Sequence, residues 1–332
     1  MKKISSKLRP IRYLLEYIAV LPIYYLIRIL PLKCVFIYAD FLGFFLYLFP
    51  NVRKQIKANL KIALPDKKSC EIRKIGKKTA SNIVLSILEF FWFINRHEKL
   101  NKWLNMDSKI QPMIDKCVKE KTGLIWVAPH LGNWEVARIA VSNTQDIPMA
   151  VVTRKLSNPY MDKLVNHGRK ADGSRVISAK GAVKGMIKAI KDGCLIATLV
   201  DQNTRARDGG IFVDFFGLPV TTSRAPALFA RKFNAMVAVG GAVRNNGKYE
   251  TFVIELPKKA NDYKSDEELI QAIIAVTEDL VRKYPDQYLW MYERWRYIPE
   301  YLDEERKKLY PYYASVVTPR FYSEKAPKGS TF

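Results

Sequence analysis

Residues 123–141 read GLIWVAPHLGNWEVARIAV, and the way this stretch divides decides the fold. GLIWVA (123–128) is a short apolar run after a glycine, with the length and composition of a buried strand. NWEVARIAV opens a helix for which Asn133 is a good N-cap, and Gly132 with Asn133 permits a tight turn before it. His130 therefore falls in a strand-to-helix turn, at the carboxyl end of a strand. That is where ligand crevices of open α/β sheets form.

The same alternation continues on the C-terminal side. IPMAVVT (147–153), RVIS (175–178), GCLIATLV (193–200), MVAVGGAV (236–243) and YETFVIEL (249–256) read as strands. Stretches 133–143, 157–171, 181–191, 222–233 and 266–283 read as helices between them. Strands alternating with helices define an α/β fold, a mixed sheet flanked by helices. The continuous apolar strands imply burial on both faces.

On the N-terminal side, residues 51–64 and 70–95 carry apolar positions at helical spacing. Before them, residues 1–50 are basic and then strongly apolar. Glu16, Arg28, Lys33 and Asp40 interrupt the run and Pro22 and Pro31 punctuate it, so it offers one marginal span from about 17 to 27, extended by snorkelling Arg12 and Arg28. The expected arrangement is one or two helices lying in or dipping into a membrane face, with Lys2, Lys3, Lys7, Arg9 and Arg12 at anionic headgroups. A pair of buried core helices is the competing reading. The chain so divides into an N-terminal membrane-anchoring or interfacial segment (1–50), an α/β domain (51–300) and a C-terminal extension (301–332).

Lys and Arg number 55 against 32 Asp and Glu, a formal charge of +23, which calls for an anionic partner. Nucleic acid, anionic lipid and an acidic carrier protein all qualify. The four cysteines make no CxxC, and no other His or Cys lies at ligand spacing from His130, so a metal site is not expected. No GxSxG elbow or phosphate-binding glycine loop occurs.

His130 and Glu135 are five residues apart. On one helix that spacing would splay them by about 140°. With the histidine in the turn, the chain can fold back so that the carboxylate reaches an imidazole nitrogen. A carboxylate there fixes the tautomer and raises basicity, leaving the other nitrogen free to take a proton. This is a base and its orienting acid without a side-chain nucleophile. A substrate hydroxyl could be the missing nucleophile, and deprotonating an alcohol beside a thioester gives acyl transfer.

APHLGNWE (128–135) resembles the HxxxxD/E signature of glycerolipid acyltransferases, and HLGNWE is similar to the bacterial lipid A late acyltransferases, the lauroyl/myristoyl transferase family. Four further blocks match that family in order: Arg169 and Gly173 as R-x-x-x-G, VDQNTRARDGGIFVDFFG (200–217), TTSRAPALFARKF (221–233) and PDQYLWMYERWRYIP (285–299). The likeness spans about residues 50–299, with a similar apolar N-terminus.

The resemblance implies an O-acyltransferase at the cytoplasmic face of the inner membrane. It would move a fatty acyl chain from acyl carrier protein, or from acyl-CoA, to a hydroxyl of a phosphorylated glycolipid, a lipid A precursor, with no cofactor and no nucleic-acid partner. By the same carry-over His130 is the general base and Glu135 its partner. Arg169 holds a phosphate or supports the developing oxyanion. Asp201, just past GCLIATLV, orients Arg169 or a substrate. Asn133 counts among the substrate-binding motif residues, although capping is the simpler role for it, as packing is for Trp134. Phe215, Phe216 and Gly217 line an acyl wall or simply pack in the core. The alternatives are acyl-CoA-dependent transfer to another lysophospholipid or glycolipid, and a non-enzymatic basic protein docking on membrane or nucleic acid.

Overall fold

A computed structural model describes residues 8–143, 148–179 and 181–323. Lys2, Lys3 and Lys7, Ile147 at the head of the second expected strand, and nearly all of the last ten residues lie outside the described residues.

Four helices lead. Helix α1 (Arg9–Ile29) has Pro10 in its first turn, where the missing N–H is no loss, and it continues through Pro22. Its 21 residues are long and apolar enough to cross a bilayer, and they take in the 17–27 span together with the flanking Arg12 and Arg28. Glu16 and Arg28, two of the charges in the apolar run, are paired along the helix. Arg12 pairs with Glu16 at 3.1 Å, and Arg28 donates to the Tyr24 hydroxyl at 2.8 Å. Helix α2 (Leu32–Leu48) ends at an extended Phe49, and Pro50 opens α3 (Pro50–Ala63) at 90° to it. Helix α4 (Ser69–Phe93) runs beside α2. Their backbones touch at Gly43, where a Cβ would stand 2.4 Å from the Ser81 Cα.

The strands that follow are β1 (Leu104–Asn105), β2 (Leu124–Ala128), β3 (Met149–Thr153), β4 (Arg175–Ser178), β5 (Leu195–Leu199), β6 (Gly210–Phe215), β7 (Leu218–Ser223), β8 (Met236–Asn245) and β9 (Lys248–Glu255). Between them lie α5 (Ile110–Glu120), α6 (Trp134–Asn143), α7 (Pro159–Lys170), α8 (Ala182–Lys191) and α9 (Ala225–Lys232), and α10 (Asp266–Lys283) follows the last. Among the described residues one seven-stranded sheet runs in the order β1-β9-β8-β2-β5-β3-β4. All neighbours are parallel except β8 and β9, so the sheet is mixed, as expected. All five residues of β2 are buried. Gly240 on β8 makes room for Trp126, whose ring atoms would lie 1.9 Å from any Cβ there.

The β6–β7 hairpin was not foreseen. Its tip is Phe216 and Gly217, both at positive φ (51° and 76°). Phe215 at the end of β6 is fully buried and stacks on Trp295 with ring centres 5.6 Å apart, so it packs the core. Beyond the sheet, β10 (Tyr297–Ile298) pairs with β11 (Ser315–Val316), with α11 (Glu304–Lys308) between them and α12 (Pro319–Tyr322) after. The Tyr310 hydroxyl donates to the Pro219 carbonyl at 2.8 Å, tying this C-terminal segment to the hairpin.

Candidate active site

Strands β2 and β5 are adjacent and parallel, with Ala128 opposite Leu199. Two residues further along each chain stand His130 and Asp201, so strand register alone brings them to the same height at the carboxyl edge of the sheet. The contact is double. One Asp201 oxygen accepts the His130 backbone N–H at 2.8 Å, and the other meets the His130 Nδ1 at 2.6 Å. Both residues are buried. An ionised Asp201 can only accept, so Nδ1 carries the proton and Nε2 presents its lone pair. Burial would raise the Asp201 pKa, but the charge and hydrogen bonds of His130, with Arg294 further off, hold it below the usual carboxylate value. The same burial, with the Asp201 charge beside it, pushes the Tyr288 phenol well above its ordinary value.

The expected partner, Glu135, does not hold the imidazole. Its carboxylate lies between two guanidinium groups. Arg169 Nε donates to Oε1 at 3.0 Å and Arg138 Nε to Oε2 at 3.0 Å. Two causes act together. Asp201 already occupies Nδ1, and α6 directs Glu135 toward Arg138, one turn along the same helix, and Arg169 in the last turn of α7. Burial disfavours the Glu135 charge, yet Arg169 and Arg138 outweigh it and keep its pKa below the ordinary value. Arg138 in turn donates to Asp172 and to the Ser174 hydroxyl. Asp201 accordingly orients His130, and the partner of Arg169 is Glu135.

Asn133 is fully buried and its side chain is committed. Its Oδ1 accepts the N–H groups of Glu135 and Val136, both at 3.0 Å, which caps α6. Its Nδ2 donates to Glu89 at 2.5 Å. It caps α6 and shapes the turn. Trp134 sets its ring edge against the imidazole, centres 4.8 Å apart.

Behind the turn is a polar cluster that the sequence reading missed. Glu89 on α4, fully buried, accepts from Asn133, from Arg244 and from the Tyr249 hydroxyl at 2.7 Å. Its signal was a lone acid inside the apolar run ILEFFWF (87–93). Gln202 was also missed. Its Nε2 lies 3.2 Å from the His130 Nε2.

Beside Trp134 opens a cleft lined by apolar side chains of β2, β3 and β5 and by Glu135, Arg138 and Arg169. Trp134 is shared between this cleft and His130. The site thus sets a carboxylate-backed imidazole, its Nε2 in contact with Gln202, at the carboxyl edge of a largely parallel sheet and close to an apolar cleft.

Comparison with known proteins assigns the class. The family model for bacterial lipid A biosynthesis acyltransferases matches residues 1–297, and the chain belongs to that family. It is an O-acyltransferase. It is 25% identical over 307 residues, 90% of this chain and 96% of the relative, to a lipid A biosynthesis lauroyltransferase of Escherichia coli (strain K12). A lipid A biosynthesis palmitoleoyltransferase of the same strain is 22% identical, covering 73% of this chain and 78% of the relative. A lipid A biosynthesis acyltransferase of Haemophilus influenzae is 25% identical over 54% of this chain and 55% of the relative.

Proposed function

We propose that this protein transfers a fatty acyl chain from a thioester to a hydroxyl of a lipid A precursor, with His130 as the general base and Asp201 as the group that orients it. The observation that carries the reading is the register-matched His130–Asp201 pair, which holds Nδ1 and leaves Nε2 as the nitrogen that can accept a proton. The acceptor hydroxyl gives its proton to Nε2 as its oxygen attacks the thioester carbonyl carbon. The tetrahedral intermediate collapses with loss of the thiolate, which takes the proton back from the imidazolium. No further cofactor is needed for this balance.

The apolar cleft beside Trp134 suits the acyl chain. Arg169 is part-exposed and anchored by Glu135, so its remaining donors suit a phosphate of the acceptor or the oxyanion. The +23 charge suits an anionic acyl donor, such as an acidic acyl carrier protein, and attachment to an anionic bilayer surface. The exposed Ile11, Leu15, Ile29, Phe41 and Phe45 of helices α1 and α2 support attachment to a bilayer, which on this reading is the cytoplasmic face of the inner membrane.

The test is lipid mass spectrometry of cells with wild-type protein, with His130→Ala and without the protein. The wild type adds one acyl mass to a lipid A species. The alanine variant, present in membranes at equal amount, lowers transfer by about 10²–10⁴. Wild-type product from that variant would refute the base assignment.

A further inference from the structure

The imidazole nitrogen that must receive the proton is already occupied. With the Nδ1 proton given to Asp201, Nε2 can only accept, and the group within reach is the amide NH2 of Gln202 at 3.2 Å. Gln202 is the residue after Asp201, and its neighbours on both sides are fixed. Asp201 is bound to His130. The Asn203 backbone N–H donates to the Tyr292 hydroxyl at 2.8 Å, while its side chain donates to the Glu293 carbonyl at 2.7 Å and accepts from Arg294 at 3.1 Å. Among the described residues the contact with His130 is the one hydrogen bond of the Gln202 side chain. An anchored backbone thus carries an amide whose single tie is to the base.

We propose that Gln202 is a guard on the base, closing Nε2 to water until the acceptor hydroxyl displaces it. The inference rests on His130 being the base. One lone pair cannot accept from the amide and from a substrate hydroxyl together. Displacing one neutral hydrogen bond is a small demand on a large lipid acceptor, which brings binding energy from contacts remote from the hydroxyl. A water molecule brings none, and the amide fills the place it would need. An unguarded base would activate water. Its proton would pass to Nε2, its oxygen would bond to the thioester carbonyl carbon, the carbon–sulfur bond would break, and the thiolate would recover the proton. The products would be a free fatty acid and a thiol, with the donor wasted.

The test uses full-length protein in detergent with dodecanoyl acyl carrier protein, with and without a purified phosphorylated lipid A precursor. Released dodecanoate and acylated product are measured separately. Gln202→Ala is expected to raise the ratio of hydrolysis to transfer about tenfold or more. Gln202→Glu, of the same size, places a carboxylate at Nε2 and favours the imidazolium, so the acid limb of the transfer pH profile moves up by about one unit. A role in folding alone would move neither readout. A wild-type ratio in Gln202→Ala together with an unmoved limb in Gln202→Glu overturns the guard. If His130→Ala keeps both activities, the base assignment itself fails, a separate result. Loss of both in that variant, with the shifts above in the Gln202 variants, supports the guard.

Discussion

Asp201 makes two hydrogen bonds that an amide cannot reproduce together. Its two oxygens accept the His130 backbone N–H and Nδ1–H. In Asp201→Asn one of those places is taken by NH2, which must either repel an N–H or force the imidazole into the tautomer with its proton on Nε2. A proton there would keep His130 from acting as the base proposed above. The expected result is a fall in kcat of about 10²–10⁴ with KM little changed, read in steady-state transfer assays. Glu135 answers differently, because its partners are Arg138 and Arg169. Replacing it with glutamine leaves two guanidinium groups facing a neutral amide, at a cost of about 3 kcal/mol. The pH dependence has a definite sign. The folded-state pKa of Glu135 is depressed below its ordinary 4.5, so the stabilisation is present above pH 4.5 and is lost as pH falls through the folded value. Thermal melts of wild type and Glu135→Gln in detergent should therefore differ at neutral pH and converge in acid. A constant gap down to the lowest pH would mean the carboxylate is not charged in the folded protein.

The β2–α6 turn is held from three sides. Gly132 donates its N–H to Gln287 at 2.9 Å and its carbonyl accepts the Ser86 hydroxyl at 2.9 Å, while the Asn133 N–H reaches Ala242 at 2.8 Å. Gly132 itself has φ +62°, and a Cβ there would stand 2.0 Å from the Ala242 carbonyl oxygen. Gly132→Ala combines left-handed strain, about 1–3 kcal/mol, with a backbone collision on β8. It should lower the melting temperature and abolish transfer, whereas Gly247→Ala, also at positive φ but in open space, should cost only the strain and keep activity. Much at this scale was legible beforehand. The strand GLIWVA, the cap at Asn133 and the helix after it follow from local composition, and RVIS was read with its observed bounds. The partner of His130 was not legible. It depends on β5, rather than some other strand, lying beside β2, and nothing local in either segment encodes that neighbour. Glu135 was the nearer acid in sequence, but the charges that claim it come from α6 and α7. The β6–β7 hairpin was hidden for a different reason. Its tip places Phe216 at positive φ, a position where glycine or asparagine is the usual signal. What holds it is tertiary: the Phe216 N–H donates to Glu278 at 2.7 Å and the Arg282 guanidinium covers its ring at 4.8 Å.

Across the whole molecule, two different forces favour the bilayer surface, and they separate by salt. Helix α2 leaves Phe41, Phe44 and Phe45 exposed, as is Phe49 just after it. The 90° bend at Pro50 then turns the chain into α3, whose Arg53, Lys54, Lys57 and Lys61 recur at helical spacing and are exposed. A phenylalanine taken fully from water is worth roughly 1.5–3 kcal/mol, and a basic residue near an anionic surface about 1 kcal/mol. Replacing Phe41 and Phe45 by serine should weaken partition onto vesicles on the order of 100-fold if these rings insert, since two such losses add to about 3 kcal/mol. The loss should be the same at low and high salt. Replacing Lys57 and Lys61 by glutamine should weaken partition on the order of 30-fold at low salt on phosphatidylglycerol vesicles, and have little effect at 1 M salt, where the Debye length is about 3 Å, or on phosphatidylcholine. Vesicle flotation of the full chain at both salt concentrations reads the two terms. Helix α1 enters the same measurement, because a helix that crosses the bilayer holds the protein there whatever α2 does. Flotation of the serine variant undiminished at both salts would assign the attachment to α1 as a span. A fall that salt leaves untouched assigns it to the aromatic row of α2, with α1 lying along the interface.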